Sequence, residues 1–266
     1  MTLTFEEIKT KQHATWSSGD YGKVAWVTVP LAETLVEASD LRPGAEVLDV
    51  ATGTGHVALA AARRFAVVHG IDYVPTLVET ARRRAEAEDL EIDFREADAE
   101  CLPYADASFD VVFSAIGVMF TSDHQRAADE LVRVTRPGGT IALASWTPTG
   151  FVGEMLKTVT RHAPPPAGAL PATRWGSADT VRELLGQDDV RFSTHRVTQR
   201  FVSPEHFADF FVAHYGPTLK AAERLDDAGR AAFREDLVAL AEQRNEATDG
   251  TLRCEWEYLV AVARVA

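Results

Sequence analysis

Asp49, Asp72 and Asp98, with Gly53 and Gly55 between the first two, are the residues whose types and spacing could do chemistry. Asp49 sits in the apolar run VLDV, and the loop ATGTG that follows carries only small side chains until His56. Such a loop lets a ligand lie directly against the backbone. Glycines between an apolar strand and a helix are where adenosine-bearing ligands dock. The choice is between a dinucleotide and an adenosine without phosphate.

Gly53-x-Gly55-x-x-Ala58 satisfies the dinucleotide pattern, and Asp72 ends the next apolar run, where it could hold ribose hydroxyls. An NAD-dependent oxidoreductase is therefore one reading. Asp49 opposes it, because a carboxylate beside the glycine loop raises the cost of placing a pyrophosphate there. The same carboxylate suits a ligand with an ammonium group. S-adenosylmethionine has adenosine, a ribose diol, an ammonium and a sulfonium, and no phosphate. Asp98, after a third apolar run, could accept from the adenine amino group.

The elements that must position these groups alternate. PLAETLVEA (30–38) reads as a helix with Pro30 in its first turn, and LRPGAEVLDV (41–50) as a turn and a buried strand. Helix is expected over 56–65, strand over 67–72, helix from Pro75, then strands at 91–94 and 109–116. Asp123 can cap the helix HQRAADELVRV, which RPGG (136–139) stops before the strand TIALASW. Strands that are continuously apolar and alternate with helices make a parallel sheet covered on both faces. Ligands in such sheets bind at the carboxyl ends of the strands, where the three aspartates fall. Beyond 150 the pattern loosens: a proline-rich connector (162–176), a strand (190–202), a helix from SPEHFADFF, polar helix to about Asn245, and the apolar EWEYLVAVARV.

The ordered set VLDVATGTG (47–55), HGID (69–72), DAECLPY (98–104), SFDVVFS (108–114) and RPGGT (136–140) resembles the class I S-adenosylmethionine-dependent methyltransferases. The likeness is to the branch with the ubiquinone- and menaquinone-type enzymes (methyltransferase type 11), and it covers roughly residues 41–146. One departure is Ala51, where the family usually has glycine. The resemblance implies a doubly wound, seven-stranded, mostly parallel α/β sheet (the Rossmann-like methyltransferase fold). Its last strand would run antiparallel within 251–264, and a helical lid or insertion would flank the sheet. A single domain over 1–266 is expected, with an N-terminal lid (1–40), a cofactor-binding core (41–146) and a substrate-side half (147–266) whose insertion spans about 203–245.

Carried over by position, the resemblance gives Asp49 the ammonium group, and Gly53 and Gly55, beside Ala51, close approach of the methionine part. Asp72 takes the ribose diol, Tyr73 packs on adenine or ribose, Asp98 and the Ala99 N–H hold adenine, and Ser114 meets the methionine part through its backbone. Trp16 and Tyr21, in HATWSSGDYG, belong either to a lid over the sulfonium or to a helix docked outside the core. No general base stands out; His124, His214, Tyr215 and His13 are the candidates, each with a packing role as the alternative. Arg174 and Trp175 either line a pocket or pack a loop.

Lys+Arg number 27 and Asp+Glu 40, a net charge of −13, so nucleic acid is an unfavourable partner and a small metabolite the better expectation. Two cysteines are too few for a disulfide framework or zinc site, and no metal is expected. No apolar run is long enough for a membrane span, and the start lacks secretory-signal features, which makes the cytoplasm the expected compartment. Whether the chain is a monomer or homodimer is not written in it. The expected activity is methyl transfer to O, N or C of a metabolite, giving S-adenosylhomocysteine. The alternative is a protein that binds the same cofactor without methylating, as a cyclase or binding partner.

Overall fold

The computed structural model describes residues 4–266. In chain order the elements are α1 (Phe5–Trp16), α2 (Tyr21–Val24), a 3-10 turn (Ala25–Thr28), α3 (Val29–Ala38), β1 (Glu46–Val50), α4 (His56–Ala62), β2 (Val67–Asp72), α5 (Pro75–Ala87), β3 (Ile92–Glu96) and β4 (Phe109–Ala115). After a 3-10 turn (Val118–Phe120) come α6 (His124–Val134), β5 (Thr135–Trp146), α7 (Phe151–His162), another 3-10 turn (Ala172–Gly176), α8 (Ala178–Leu185) and β6 (Val190–Phe201). The chain then forms α9 (Pro204–His214), α10 (Gly216–Glu223), α11 (Asp227–Gln243) and β7 (Leu252–Arg264).

The seven strands form one sheet in the order β3-β2-β1-β4-β5-β7-β6. Strands β1 to β5 are parallel, whereas β7 lies between β5 and β6 and pairs antiparallel with both. The chain starts in the middle, winds outward to β3, then returns to β4, which makes the β1/β4 boundary the switch point. This is the Rossmann-like methyltransferase architecture that the resemblance implies, with β7 as the antiparallel strand.

Local chemistry explains most boundaries. Thr4 and Glu7 form a reciprocal capping box at α1, and Pro30 occupies the first turn of α3. Asp123, Ser203 and Asp226 cap α6, α9 and α11 through side-chain bonds to Arg126 N, His206 N and Gly229 N. Two segments depart from expectation. RPGG does not separate helix from strand: α6 passes directly into β5 at Thr135, and the register with β4 shifts between Phe109 and Val111 to absorb the turn. Residues 151–162 form α7, whose Phe151, Val152, Met155 and Val159 bury one face.

The core lies on both faces of β1, β4 and β5, where Leu48, Val112, Phe113 and Ile141 are fully buried. Among the described residues no helix is long and apolar enough to cross a membrane, and no group of three or more His, Cys, Asp or Glu could hold a metal ion. Cys101 and Cys254 are both free.

Candidate functional site

The carboxyl ends of β1, β2, β3 and β4 open into a cavity of about 190 Å³, roofed by α1, α2 and the following turn and closed by α7, α9 and β7. Asp49 stands at its floor, only 1% exposed. One of its oxygens, Oδ2, accepts from Thr52 Oγ1 (2.5 Å) and Ala58 N (3.0 Å); the other has no partner among the described residues. Burial, reinforced by the charge of Asp72, pushes its pKa up to about 7, against the pull of those two hydrogen bonds. Asp72 clasps the loop from the next strand: Oδ2 accepts from Gly53 N and Oδ1 from Val74 N, each at 2.9 Å. Burial raises its pKa to about 6. The floor thus holds two buried carboxylates with no protein cation among their hydrogen-bond partners, an arrangement that favours a cationic ligand.

Gly53 adopts φ +56° with open space where a side chain would stand, so the loop presents bare backbone to the cavity. Gly55, at φ +87°, does not line the cavity. It caps α4, and a side chain there would press on Ala81 and Phe94. Ala51 is held in the left-handed region at φ +54°, which explains why glycine suits this position. Room for its methyl comes from Gly117, where an added Cβ would come within 2.8 Å of the Ala51 Cβ. Ile116, also lining the cavity, has φ +55°, a strained conformation for a β-branched residue.

One end of the cavity is built from Tyr73, Asp98 and Ala99, with Glu100 and Lys9. Asp98 Oδ1 accepts from Glu100 N at 2.9 Å, and Oδ2 from Lys9 Nζ at 2.7 Å. The same ammonium lies 2.7 Å from Glu100 Oε2. The other Glu100 oxygen accepts from Ser122 N, Ser122 Oγ and Asp123 N at 2.7, 2.7 and 2.9 Å. Burial lowers the Lys9 pKa and its two hydrogen bonds raise it by more, leaving the ammonium above its ordinary range.

Trp16 and Tyr21 line the cavity too, with ring centroids 5.6 Å apart; Trp16 also packs on Phe120 (4.5 Å) and Tyr215 (6.1 Å). Here α1 both docks on the core and roofs the cavity, so the two alternatives for this segment are not exclusive. His13 stands behind Tyr73, edge-on at 5.2 Å, with Nε2 3.1 Å from the Tyr73 carbonyl.

Other candidates fall outside. Ser114 turns into the core, where Oγ donates to Val50 O (2.8 Å) and accepts from Val118 N (3.0 Å), tying β4 to β1; Ala115, Ile116 and Gly117 line the cavity in its stead. His124 is buried away from the cavity beside the fully buried Trp175, their centroids 6.0 Å apart; His124 Nδ1 and Trp175 Nε1 are without hydrogen-bond partners among the described residues. Burial, with the nearby charge of Arg174, lowers the His124 pKa to about 4. His214 packs on Phe210 and Arg174 is also absent from the lining, but Tyr215 lines it. His56, read from sequence as a helix-start residue, faces the cavity, with Arg84 Nη2 3.1 Å from its Nδ1; burial first, then the Arg84 charge, lower its pKa to about 4. Lys9, Glu100, Trp146, Met155, Phe211 and Trp256 complete the site without any signal in local spacing.

A methyltransferase-domain family profile matches residues 48–143. An uncharacterized protein of Mycobacterium tuberculosis strain H37Rv is 42% identical over 265 residues, covering 97% of this chain and 95% of the relative. A demethylmenaquinone methyltransferase of Deinococcus radiodurans is 38% identical over 143 residues, 52% of this chain and 59% of the relative. A crystal structure from Bacillus halodurans C-125 shares the fold, at TM-score 0.61 and 21% identity over 88% of this chain and 97% of that one. With the sheet order and the carboxylate-flanked glycine loop, these likenesses identify the chain as a member of the class I S-adenosylmethionine-dependent methyltransferases, type 11 branch.

Proposed function

We propose that the chain transfers the methyl group of S-adenosylmethionine to a small-molecule metabolite held in the closed half of this cavity. The observation that carries the reading is the pair of buried carboxylates, Asp49 and Asp72, on either side of bare glycine backbone. The free oxygen of Asp49 would take the ammonium group, and Asp72, anchored by two backbone N–H groups, the ribose diol. Tyr73, Asp98 and Ala99 would hold the adenine end; Gly53 and Ala51 would leave room for the methionine chain. A phosphate-bearing dinucleotide fits poorly against the same two carboxylates.

The bound cofactor supplies an activated methyl carbon on sulfonium sulfur. The remaining work is positioning and exclusion of water, which α1, Trp16 and Tyr21 perform as the roof. No carboxylate lines the α7–α9 end, and neutral His56 already accepts from Arg84, so a dedicated general base is not required by this reading. Calorimetry with S-adenosylhomocysteine, followed by incubation with methyl-labelled S-adenosylmethionine and a metabolite panel, tests it. Label appearing in an acceptor with stoichiometric S-adenosylhomocysteine is the expected result. Binding without any S-adenosylhomocysteine formed would instead favour a non-methylating use of the cofactor.

A further inference from the structure

His56 opens α4 and turns its ring to the cavity, while Arg84 stands behind it on α5, half-buried and outside the lining. Arg84 spends its donors on neutral atoms: Nη1 on the Thr54 carbonyl (2.6 Å) and Thr54 Oγ1 (3.3 Å), Nη2 on His56 Nδ1 (3.1 Å). It forms no ion pair among the described residues; Glu88, whose charge reaches it, is taken by Arg63 at 2.6 Å. A guanidinium has only hydrogens to offer, so His56 Nδ1 is the acceptor and the ring hydrogen sits on Nε2. Burial first and the Arg84 charge second keep the ring neutral, so His56 presents one donor, Nε2–H. Nε2 lies 3.4 Å from Thr54 Oγ1, at the outer limit of a hydrogen bond, and the Ala25 carbonyl in the roof also draws it. Both are neutral acceptors, which an anion outcompetes.

The rest of the wall makes this donor matter. Asp49, Asp72, Asp98 and Glu100 line the cavity, and Lys9, its single lysine or arginine among the described residues, is held by two of them at 2.7 Å. An amino-acid tail whose ammonium meets the free oxygen of Asp49 carries its carboxylate on the same carbon. Among these acids an unassisted carboxylate is repelled. His56 is close at hand, because Asp49 Oδ2 accepts from Ala58 N, in the turn of α4 that His56 begins.

We infer that His56 Nε2–H holds the carboxylate of the cofactor's amino-acid tail, and that Arg84 is a positioning residue that fixes the His56 tautomer and lends its charge through the ring. This rests on the reading of the cavity as an S-adenosylmethionine site. It goes beyond that reading by giving the anionic half of the tail a seat that no residue of the glycine loop supplies.

The full-length chain is titrated calorimetrically with S-adenosylhomocysteine and with its decarboxylated form, which keeps the ammonium and loses only the carboxylate. The native protein is expected to bind S-adenosylhomocysteine at least about tenfold more tightly, the worth of one hydrogen bond to a charged group. Without the seat, the wall carboxylates favour the decarboxylated ligand. His56→Leu should therefore bring the two ligands to parity or invert their order, leaving the decarboxylated form within about twofold of its native affinity. His56→Gln, which returns an N–H at similar reach, should restore a preference of about threefold or more. Arg84→Gln should cut the preference by roughly three- to tenfold, and by nothing further in the His56→Leu background. Equal native affinity for both ligands, or a loss shared equally by both in His56→Leu, overturns the inference. An Arg84→Gln effect that persists undiminished without His56 overturns the positioning role. Should His56→Leu fail to fold, the native comparison and Arg84→Gln decide. Absence of S-adenosylhomocysteine binding by the native protein would overturn the cofactor reading itself, and this inference with it.

Discussion

Lys9→Met tests the roof. The Lys9 ammonium is 19% exposed and bridges Asp98 (34% exposed) and Glu100 (4% exposed), at 2.7 Å from each. Removing it leaves one oxygen of the nearly buried Glu100 without a cation, while the other oxygen still holds Ser122 and Asp123. Breaking a fully buried pair by deleting one partner costs about 3–5 kcal/mol. Asp98 is partly solvated, so water recovers part of the loss, and about 1–3 kcal/mol is expected. At about 2–4 °C per kcal/mol for a chain of this size, the melting midpoint should fall by roughly 2–12 °C. The deficit should be local, because Lys9 and the His13–Tyr73 contact are the polar ties of α1 to the Tyr73–Glu100 end of the cavity. Amide hydrogen exchange should therefore rise over residues 5–16 and stay constant in β1 and β4. Glu100→Gln in the Lys9→Met background should recover part of the loss, with a coupling energy of about 1–3 kcal/mol. A midpoint unchanged within about 1 °C, or single-variant effects that add within about 0.5 kcal/mol, would refute the reasoning.

Asp49→Asn should weaken S-adenosylhomocysteine by about ten- to a hundredfold in calorimetry, the worth of a charge-assisted bond of about 1.5–3 kcal/mol. Burial holds the Asp49 pKa at about 7, above its unfolded value near about 4, so the folded chain binds the extra proton and loses stability as pH rises across that interval. A ligand that needs the ionised form gains over the same range: affinity should tighten between pH about 5.5 and 8 in the native protein and flatten in Asp49→Asn. Ala51→Gly removes a left-handed alanine at a strain of about 1–2 kcal/mol and adds about 0.5–1 kcal/mol of backbone entropy cost, so denaturant unfolding should show a gain of about 0–1.5 kcal/mol. His124→Asn should leave S-adenosylhomocysteine affinity and methyl transfer within about twofold, since His124 lies outside the cavity; a larger loss of transfer rate at unchanged melting midpoint would contradict its placement.

The floor of the cavity was legible because its groups end a strand or follow one within a few residues. Asp49, Asp72 and Asp98 announce themselves by ending or following apolar runs, and Gly53 by the loop between strand and helix. Gly55 and Ser114 do not line the cavity: Gly55 turns the chain into α4 against Ala81 and Phe94, and Ser114 Oγ ties β4 to β1, packing that spacing does not encode. The opposite end of the cavity was hardly visible. Trp146, Met155, Phe211 and Trp256 converge from β5, α7, α9 and β7, and nothing local marks them as neighbours. Helix α7 starts without a side-chain cap, at Gly150, so its only sequence signal is the spacing of Phe151, Val152, Met155 and Val159. Lys9 meets Asp98 and Glu100 across some ninety positions, a separation at which chemical type gives no hint of contact.

The insertion of β7 between β5 and β6 has a consequence for how the protein is made. Strand β6 precedes β7 in the chain but can reach the sheet only through it, so β6 must wait unpaired until β7 has been synthesised. While β1 to β5 can assemble behind the ribosome in the order they emerge, β6 stays unpaired until β7 arrives. Trp256 travels on that late strand, so a nascent chain would gain the Asp49–Asp72 floor well before the aromatic wall opposite it is complete.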